Sequence, residues 1–215
     1  GRAFKIMESV RKGRGLKPED EDYMRENKVP EWYILSCKKV KYLFPKAHAV
    51  AYVMMAFRIA WFKIYHPLAF YAAAFTVRVD DFDADIICKG LSEIENQIKN
   101  IKAMGNDATD KDKKFQVILE ICLEMYQRGF QCQRVNLWQS EAERFRVVDG
   151  QLIPPFAALQ GLGQSVACSI VEAREKAPFT SIEDLSNRGK VGKAIIETLQ
   201  KHGVLEELPE SDQLQ

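Results

Sequence analysis

"LQGLGQSVACSIVEAR", Leu159 to Arg174, decides how the last third of this chain is read. Gly161 and Gly163 flank a single apolar residue, Leu162, and Val166, Ala167, Ile170 and Val171 then recur at helical spacing. A helix therefore starts just after the second glycine. Glycines admit backbone conformations closed to other residues and let an outside group come close to the main chain. The N–H groups at the start of the helix, at Gln164 and Ser165, point outward with the helix dipole behind them. That arrangement suits a phosphate, and a contact made through the backbone carries no base-sequence information.

A second copy follows in "LSNRGKVGKAIIETLQKHGVL", where Gly189 and Gly192 surround Lys190 and Val191 and a helix continues through Ile195, Ile196 and Leu199. Its glycines stand three apart instead of two. Arg188, Lys190 and Lys193 supply cations where phosphates would lie. The pattern apolar-x-Gly-apolar-Gly with a small residue (Ala167) at the fourth place after it resembles the helix-hairpin-helix motif of DNA-binding proteins. The candidate duplex contacts are Gly161, Gly163, Gln164, Ser165, Arg188, Lys190, Gly192 and Lys193. The competing reading is that the hairpins only pack helices or bind protein. Residues 134–215 favour it somewhat, with nine Lys/Arg against twelve Asp/Glu.

Upstream the charge reverses. Residues 1–79 carry fifteen Lys/Arg and seven Asp/Glu, residues 80–133 carry seven and eleven, and the whole chain is left at +1. From Trp32 to Val79 there is no carboxylate, yet seven Lys/Arg remain. Burial alone would explain the missing acids but not the retained cations, so a polyanionic partner is expected. Inside this stretch "FPKAHAVAY", Phe44 to Tyr52, places Lys46, His48 and Tyr52 at the mouth of a long apolar helix. His48 and Tyr52 are four apart and share a helix face. Core packing and a satisfied helix start are the alternative for these two. Arg58 and Lys63 divide between phosphates and partners within the domain, and the cluster Arg11, Lys12 and Arg14 divides between anion contacts and a solvated face.

The remaining elements follow from breakers and periodicity. Residues 3–12 end a helix before Gly13 and Gly15, Pro18 and Pro30 open two more, Pro45 breaks the chain, and His66-Pro67 resets it. The run from Ala47 to Phe75 is interrupted by Arg58, Lys63 and His66-Pro67, which predicts a buried helix pair and no membrane span. "VDDFDAD" is an acidic turn with N-cap residues, so Asp81, Asp83 and Asp85 read as caps and linker, not as a catalytic pair. Ile87, Leu91, Ile94, Ile98 and Ile101 form one apolar seam; Phe115, Ile118, Leu119, Cys122 and Tyr126 form another. The two make an antiparallel helical hairpin. Asp149-Gly150 between extended runs signals a β-hairpin. The five cysteines include no C-x-x-C pair, which argues against a zinc site and a disulfide framework and suits a reducing cytoplasm.

The fold class is thus mainly α: a helical block, a helical hairpin over 83–128, one small β-hairpin over 143–153, and tandem helix-hairpin-helix units over 156–175 and 185–203. "VPEWYILSCKKVKYLFPKAHAVAYVMMAFRIAWFKIYHPLAFYAAAFTVR" looks like the late fingers region of bacterial C-family replicative polymerases, in detail the PolC-type α chain of DNA polymerase III from low-GC Gram-positive bacteria. "IPPFAALQGLG" and "FTSIEDLSNRGKV" are similar to that family's duplex-binding domain. The resemblance covers essentially the whole chain. It implies the end of a fingers domain over 1–79, a duplex-DNA-binding domain over 80–207 and a flexible tail over 208–215. It also implies that Lys46, His48 and Tyr52 lie at the nucleotide site. Phosphoryl transfer would then belong to an upstream palm domain holding Mg2+, with no cofactor in this segment and no polymerase activity from it alone. Gln213 and Leu214 match the start of the family's clamp-docking motif. Implied partners are primer–template duplex, deoxynucleoside triphosphate, the sliding clamp and the rest of the polymerase chain, without a membrane. Two other classes compete: a stand-alone helix-hairpin-helix scaffold without catalysis, and a nuclease or glycosylase using the hairpins as an accessory.

Overall fold

The computed structural model describes residues 1–211 and holds eleven α-helices and one two-stranded antiparallel sheet among them. The mainly α architecture read from the sequence is the one observed. The chain divides into two compact units, Gly1–Ala60 and Trp61–Gln215.

The first unit contains α1 (Arg2–Arg11), α2 (Pro18–Glu26), α3 (Glu31–Lys39) and most of α4 (Lys46–Tyr65). Pro18 occupies the first turn of α2, where its missing N–H costs nothing. Ile6, Val10, Met24, Ile34 and Cys37 make a small core. Gly13 (φ +71°) closes α1; a Cβ there would run into the Lys41 carbonyl. The Arg11, Lys12 and Arg14 cluster is partly spent at home, because Arg11 and Lys12 both pair with Glu8 (2.6 and 3.3 Å). Helix α4 departs from expectation: none of its twenty residues is buried. Its apolar side chains have no cover among the described residues, so the buried helix pair predicted for this region is not formed. By length and composition α4 could cross a membrane.

The second unit is built on one core. α5 (Pro67–Val77) inserts Tyr71 and Phe75, and the Phe75 and Phe82 rings meet Phe145 at 5.6 and 4.8 Å. This core therefore begins upstream of the change in charge at Asp80. A short α6 (Ala84–Ile87) is capped by Asp83, whose side chain accepts from the N–H groups of Asp85 and Ile86. α7 (Leu91–Met104) and α8 (Asp110–Gln127) form the helical hairpin. Ile94, Ile98 and Ile101 pack with Ile118, Leu119, Cys122 and Met125 in the same core. Thr109 and Asp112 form a capping box at the start of α8. The Ile87–Ile101 seam is split, because Gly90 (φ +100°) separates α6 from α7. Strands β1 (Arg146–Val148) and β2 (Gln151–Ile153) pair antiparallel around Asp149 (φ +50°) and Gly150 (φ +75°), the two positive angles that a two-residue type I′ turn needs. α9 (Gln164–Lys176), α10 (Ile182–Gly189) and α11 (Lys193–Lys201) complete the unit.

Residues 208–211, read as the start of a solvated tail, have a definite place. The Pro209 and Glu210 carbonyls accept from the N–H groups of Ile182 and Glu183 at the start of α10 (2.9 and 3.1 Å). Gln213 and Leu214 lie outside the described residues.

Candidate nucleic-acid interface

The two glycine hairpins share a left-handed residue, a buried apolar residue and a capping glycine with nearly equal angles. In the first, Gly161 is left-handed (φ +84°), Leu162 is buried, and Gly163 (φ −72°, ψ 154°) caps α9. In the second, Lys190 is left-handed (φ 54°, ψ 43°), Val191 is buried, and Gly192 (φ −74°, ψ 161°) caps α11. Lys190 thus takes the place of Gly161. The apparent three-residue spacing arose from counting Gly189, which lies inside α10. A Cβ on Gly189 would sit 3.1 Å from Val191 Cγ2 and 3.3 Å from Leu185 Cδ1, so this glycine serves packing.

Neither helix start is closed by the chain. α8 and α10 carry side-chain caps from Thr109 and Ser181, but α9 and α11 have none. Among the described residues, the N–H groups of Gly163, Gln164 and Ser165 and of Gly192, Lys193 and Ala194 have no hydrogen-bond partner. These residues are exposed, and nothing lies within 4 Å of where a Cβ on Gly161, Gly163 or Gly192 would be. Each hairpin therefore offers three unpartnered donors at the positive end of a helix, with open space beside its glycines. Ala194 escaped the sequence reading. Aligning "GKVG" to "QGLG" on the last glycine would have found it.

Buried anchors fix the geometry behind these donors. Leu162 and Val191 share one core with Ile170 and Leu185, and Ser186 Oγ donates to the Val191 carbonyl (2.9 Å). Arg188, a candidate phosphate contact, points its guanidinium inward. It donates to the carbonyls of Ala173 (3.0 Å), Ala177 and Pro178 (2.9 Å), pairs with Asp184 (2.8 Å), and lies 4.7 Å from the Phe179 ring centroid. It ties the end of α9 to α10. Its guanidinium also holds the Asp184 carboxyl below the usual range. Lys190 and Lys193 are the exposed cations of the second hairpin.

In the first unit, Lys46 is the first residue of α4, and His48 and Tyr52 meet edge to face at 4.5 Å. Phe44 stands 5.1 Å from His48 and Tyr42 6.2 Å from Phe44. The result is an exposed ladder of four rings, with Tyr52 63% accessible. Sequence spacing joined only the last two. Arg58 is exposed, whereas Lys63 pairs with Glu124 (2.6 Å).

The acidic turn does not form a metal site. Asp83 is a helix cap, and Asp85 sits 3.4 Å from Lys89 and 3.7 Å from His202. Among the described residues no group of three His, Cys, Asp or Glu side chains is arranged to hold a metal ion.

Residues 129–214 match the family model described as "Helix-hairpin-helix motif". Over 212 residues, 99% of its length, the chain is 55% identical to the PolC-type DNA polymerase III of Bacillus subtilis, 54% to that of Clostridium perfringens and 52% to that of Caldanaerobacter subterraneus. In each case the chain spans about 15% of the relative's length. Twin hairpins with open helix starts and this identity along nearly the whole chain agree: the chain is homologous to a segment of these PolC-type DNA polymerase III relatives.

Proposed function

We propose that this segment holds primer–template duplex for a DNA-directed DNA polymerase, gripping the sugar–phosphate backbone without reading its sequence. The observation that carries this is the pair of hairpins, each with three unpartnered N–H groups and a glycine cap that the fold itself does not require. One backbone phosphate per hairpin would accept these donors, while Lys190 and Lys193 add charge at the second. The ring ladder at the start of α4, with Lys46 beside it, is the proposed contact for the incoming nucleotide: Tyr52 and His48 offer flat and edge-on faces, and Lys46 reaches the triphosphate. Support here is the exposed geometry together with the resemblance to the fingers region. Phosphoryl transfer and its Mg2+ are assigned to carboxylates elsewhere in the longer polymerase, which leaves this segment inactive by itself. The uncovered surface of α4 is assigned to the same remainder instead of a membrane. Gln213 and Leu214 are proposed, from the resemblance alone, to begin a sliding-clamp contact, and the cytoplasm is the proposed setting.

The test is an anisotropy titration of labelled duplexes of unrelated sequence over a range of salt. Contacts to a few phosphates give a log–log slope of roughly −2 to −4, equal for all sequences. Absence of binding, or a marked sequence preference, would overturn the reading.

A further inference from the structure

Away from the hairpins, a recess of about 140 Å³ is lined by Cys88, Lys89, Arg134, Lys201 and His202, with Asp85 as its one carboxylate. Cys88 is half-buried at this recess. Its Sγ lies 4.0 Å from Sγ of Cys132 and donates to the Gln133 carbonyl at 3.1 Å. Cys132 is only 7% exposed. The hairpins and the polymerase reading make no use of this pair.

We propose that Cys88 and Cys132 are a peroxide-sensitive dithiol that closes to an intramolecular disulfide, with Cys88 as the attacking thiol and Cys132 as the resolving one. Cys88 is the partner that a small oxidant can reach. The contact with Cys88, together with burial, pushes the Cys132 thiol up. In the first step Cys88 gives its proton to solvent and its sulfur attacks one oxygen of hydrogen peroxide. The O–O bond breaks, the departing hydroxide takes up a proton as water, and Cys88 becomes a sulfenic acid. In the second, the Cys132 sulfur attacks the Cys88 sulfur, and the hydroxyl leaves with the Cys132 proton as water. Two thiols are oxidised, one peroxide is reduced, and two waters form.

The geometry allows closure. A disulfide needs an S–S distance of about 2.05 Å, so the sulfurs must approach by roughly 2 Å. Cys132 is held: its neighbour Gln133 donates to the Leu152 carbonyl (2.7 Å), and Leu152 donates to that of Gln131 (3.0 Å). Cys88 can give, because it ends the four-residue α6 and is followed within two residues by Gly90 at φ +100°. Cys122, also in this core, is fully buried and has no route to solvent.

The experiment treats the purified protein with a modest excess of hydrogen peroxide and maps its peptides without reduction. The expected product is a single Cys88–Cys132 linked peptide pair, lighter by about 2 Da than the two thiol peptides and reversed by dithiothreitol. In Cys132→Ser, Cys88 should be trapped as a sulfenic acid that dimedone labels. In Cys88→Ser, which alters only a half-buried side chain, no link should form and Cys132 should stay unlabelled. If Cys132→Ser fails to fold, Cys88→Ser still decides through the missing link. Linkage of Cys132 to another cysteine, over-oxidation of Cys88 without a link, or no reaction in the parent protein would overturn the proposal.

Discussion

At Gly163 and Gly192 the backbone angles are ones that any residue adopts, and a Cβ at either would meet empty space. Gly163→Val and Gly192→Val should therefore leave the melting temperature nearly unchanged, apart from the small cost of a poorer helix cap. They would place bulk where a phosphate must approach. We expect each to weaken duplex binding at least tenfold, measured by anisotropy beside a thermal melt. Unchanged affinity in a folded variant would remove the backbone-phosphate role of that hairpin. Lys190 gives the opposite test. A left-handed residue with a Cβ costs roughly 1–2 kcal/mol, and a glycine returns about 0.5–1 kcal/mol of that as lost chain entropy. Lys190→Gly should thus stabilise the fold by roughly 0.5–1 kcal/mol while reducing the salt slope of duplex binding by about 0.9. Lys190 also shows why the second hairpin was only half legible. Lysine gives no signal for a left-handed angle, so the adjacent Gly189 drew the assignment that belongs to its neighbour.

Elements were read best where a local rule acts alone. Asp149-Gly150 specified its turn, the prolines placed the starts of α2, α3 and α5, and the spacing of Ile94, Ile98 and Ile101 gave α7 its buried face. Where two rules collided the sequence misled: the four-three spacing runs on through Ile87, yet Gly90 ends the helix there. Tertiary hydrogen bonds left no trace in the pattern either, and Arg188 is the example. Its cationic character pointed to phosphate, but its guanidinium binds the end of α9 to α10. Arg188→Ala should cost about 2–3 kcal/mol, since it leaves carbonyls at a helix end without donors. Arg188→Lys should recover little of that, because an ammonium cannot span the same fork. A pH titration of stability separates the charge contribution. Asp184 has a lowered folded pKa, caused first by its bond to Arg188. Its contribution is present above the unfolded value of about 4 and is lost as the pH falls through the folded one. The parent should lose stability below about pH 4, and Arg188→Ala should show a shallower fall there. Equal slopes would show that the pair adds nothing beyond the neutral hydrogen bonds.

For the whole molecule the unresolved physical demand is α4. Val50, Val53, Met54, Phe57, Ile59, Phe62 and Ile64 are among its exposed apolar side chains, and no residue of the helix is buried. Each such side chain, once covered, gains about 1.5–3 kcal/mol, and a patch of this extent on a soluble surface marks an interface. The absence of acids from Trp32 to Val79 suggested a polyanionic partner. The exposure of α4 was not legible, since periodicity reports that a helix is apolar but not whether its own chain covers it. A protein cover and a bilayer make different demands on Arg58 and Lys63, which fall inside the helix. Lys63 is already paired with Glu124 and stacked 5.3 Å over Phe70, and a charge at the centre of a span is costly. We therefore expect the 215-residue chain to self-associate with rising concentration in sedimentation velocity, and Phe57→Glu with Ile64→Glu to return it to a monomer. In flotation with phosphatidylcholine vesicles the parent should stay with the soluble fraction. Flotation with the lipid, abolished by the same two substitutions, would assign α4 to a membrane and sink the view that the remainder of a polymerase covers it.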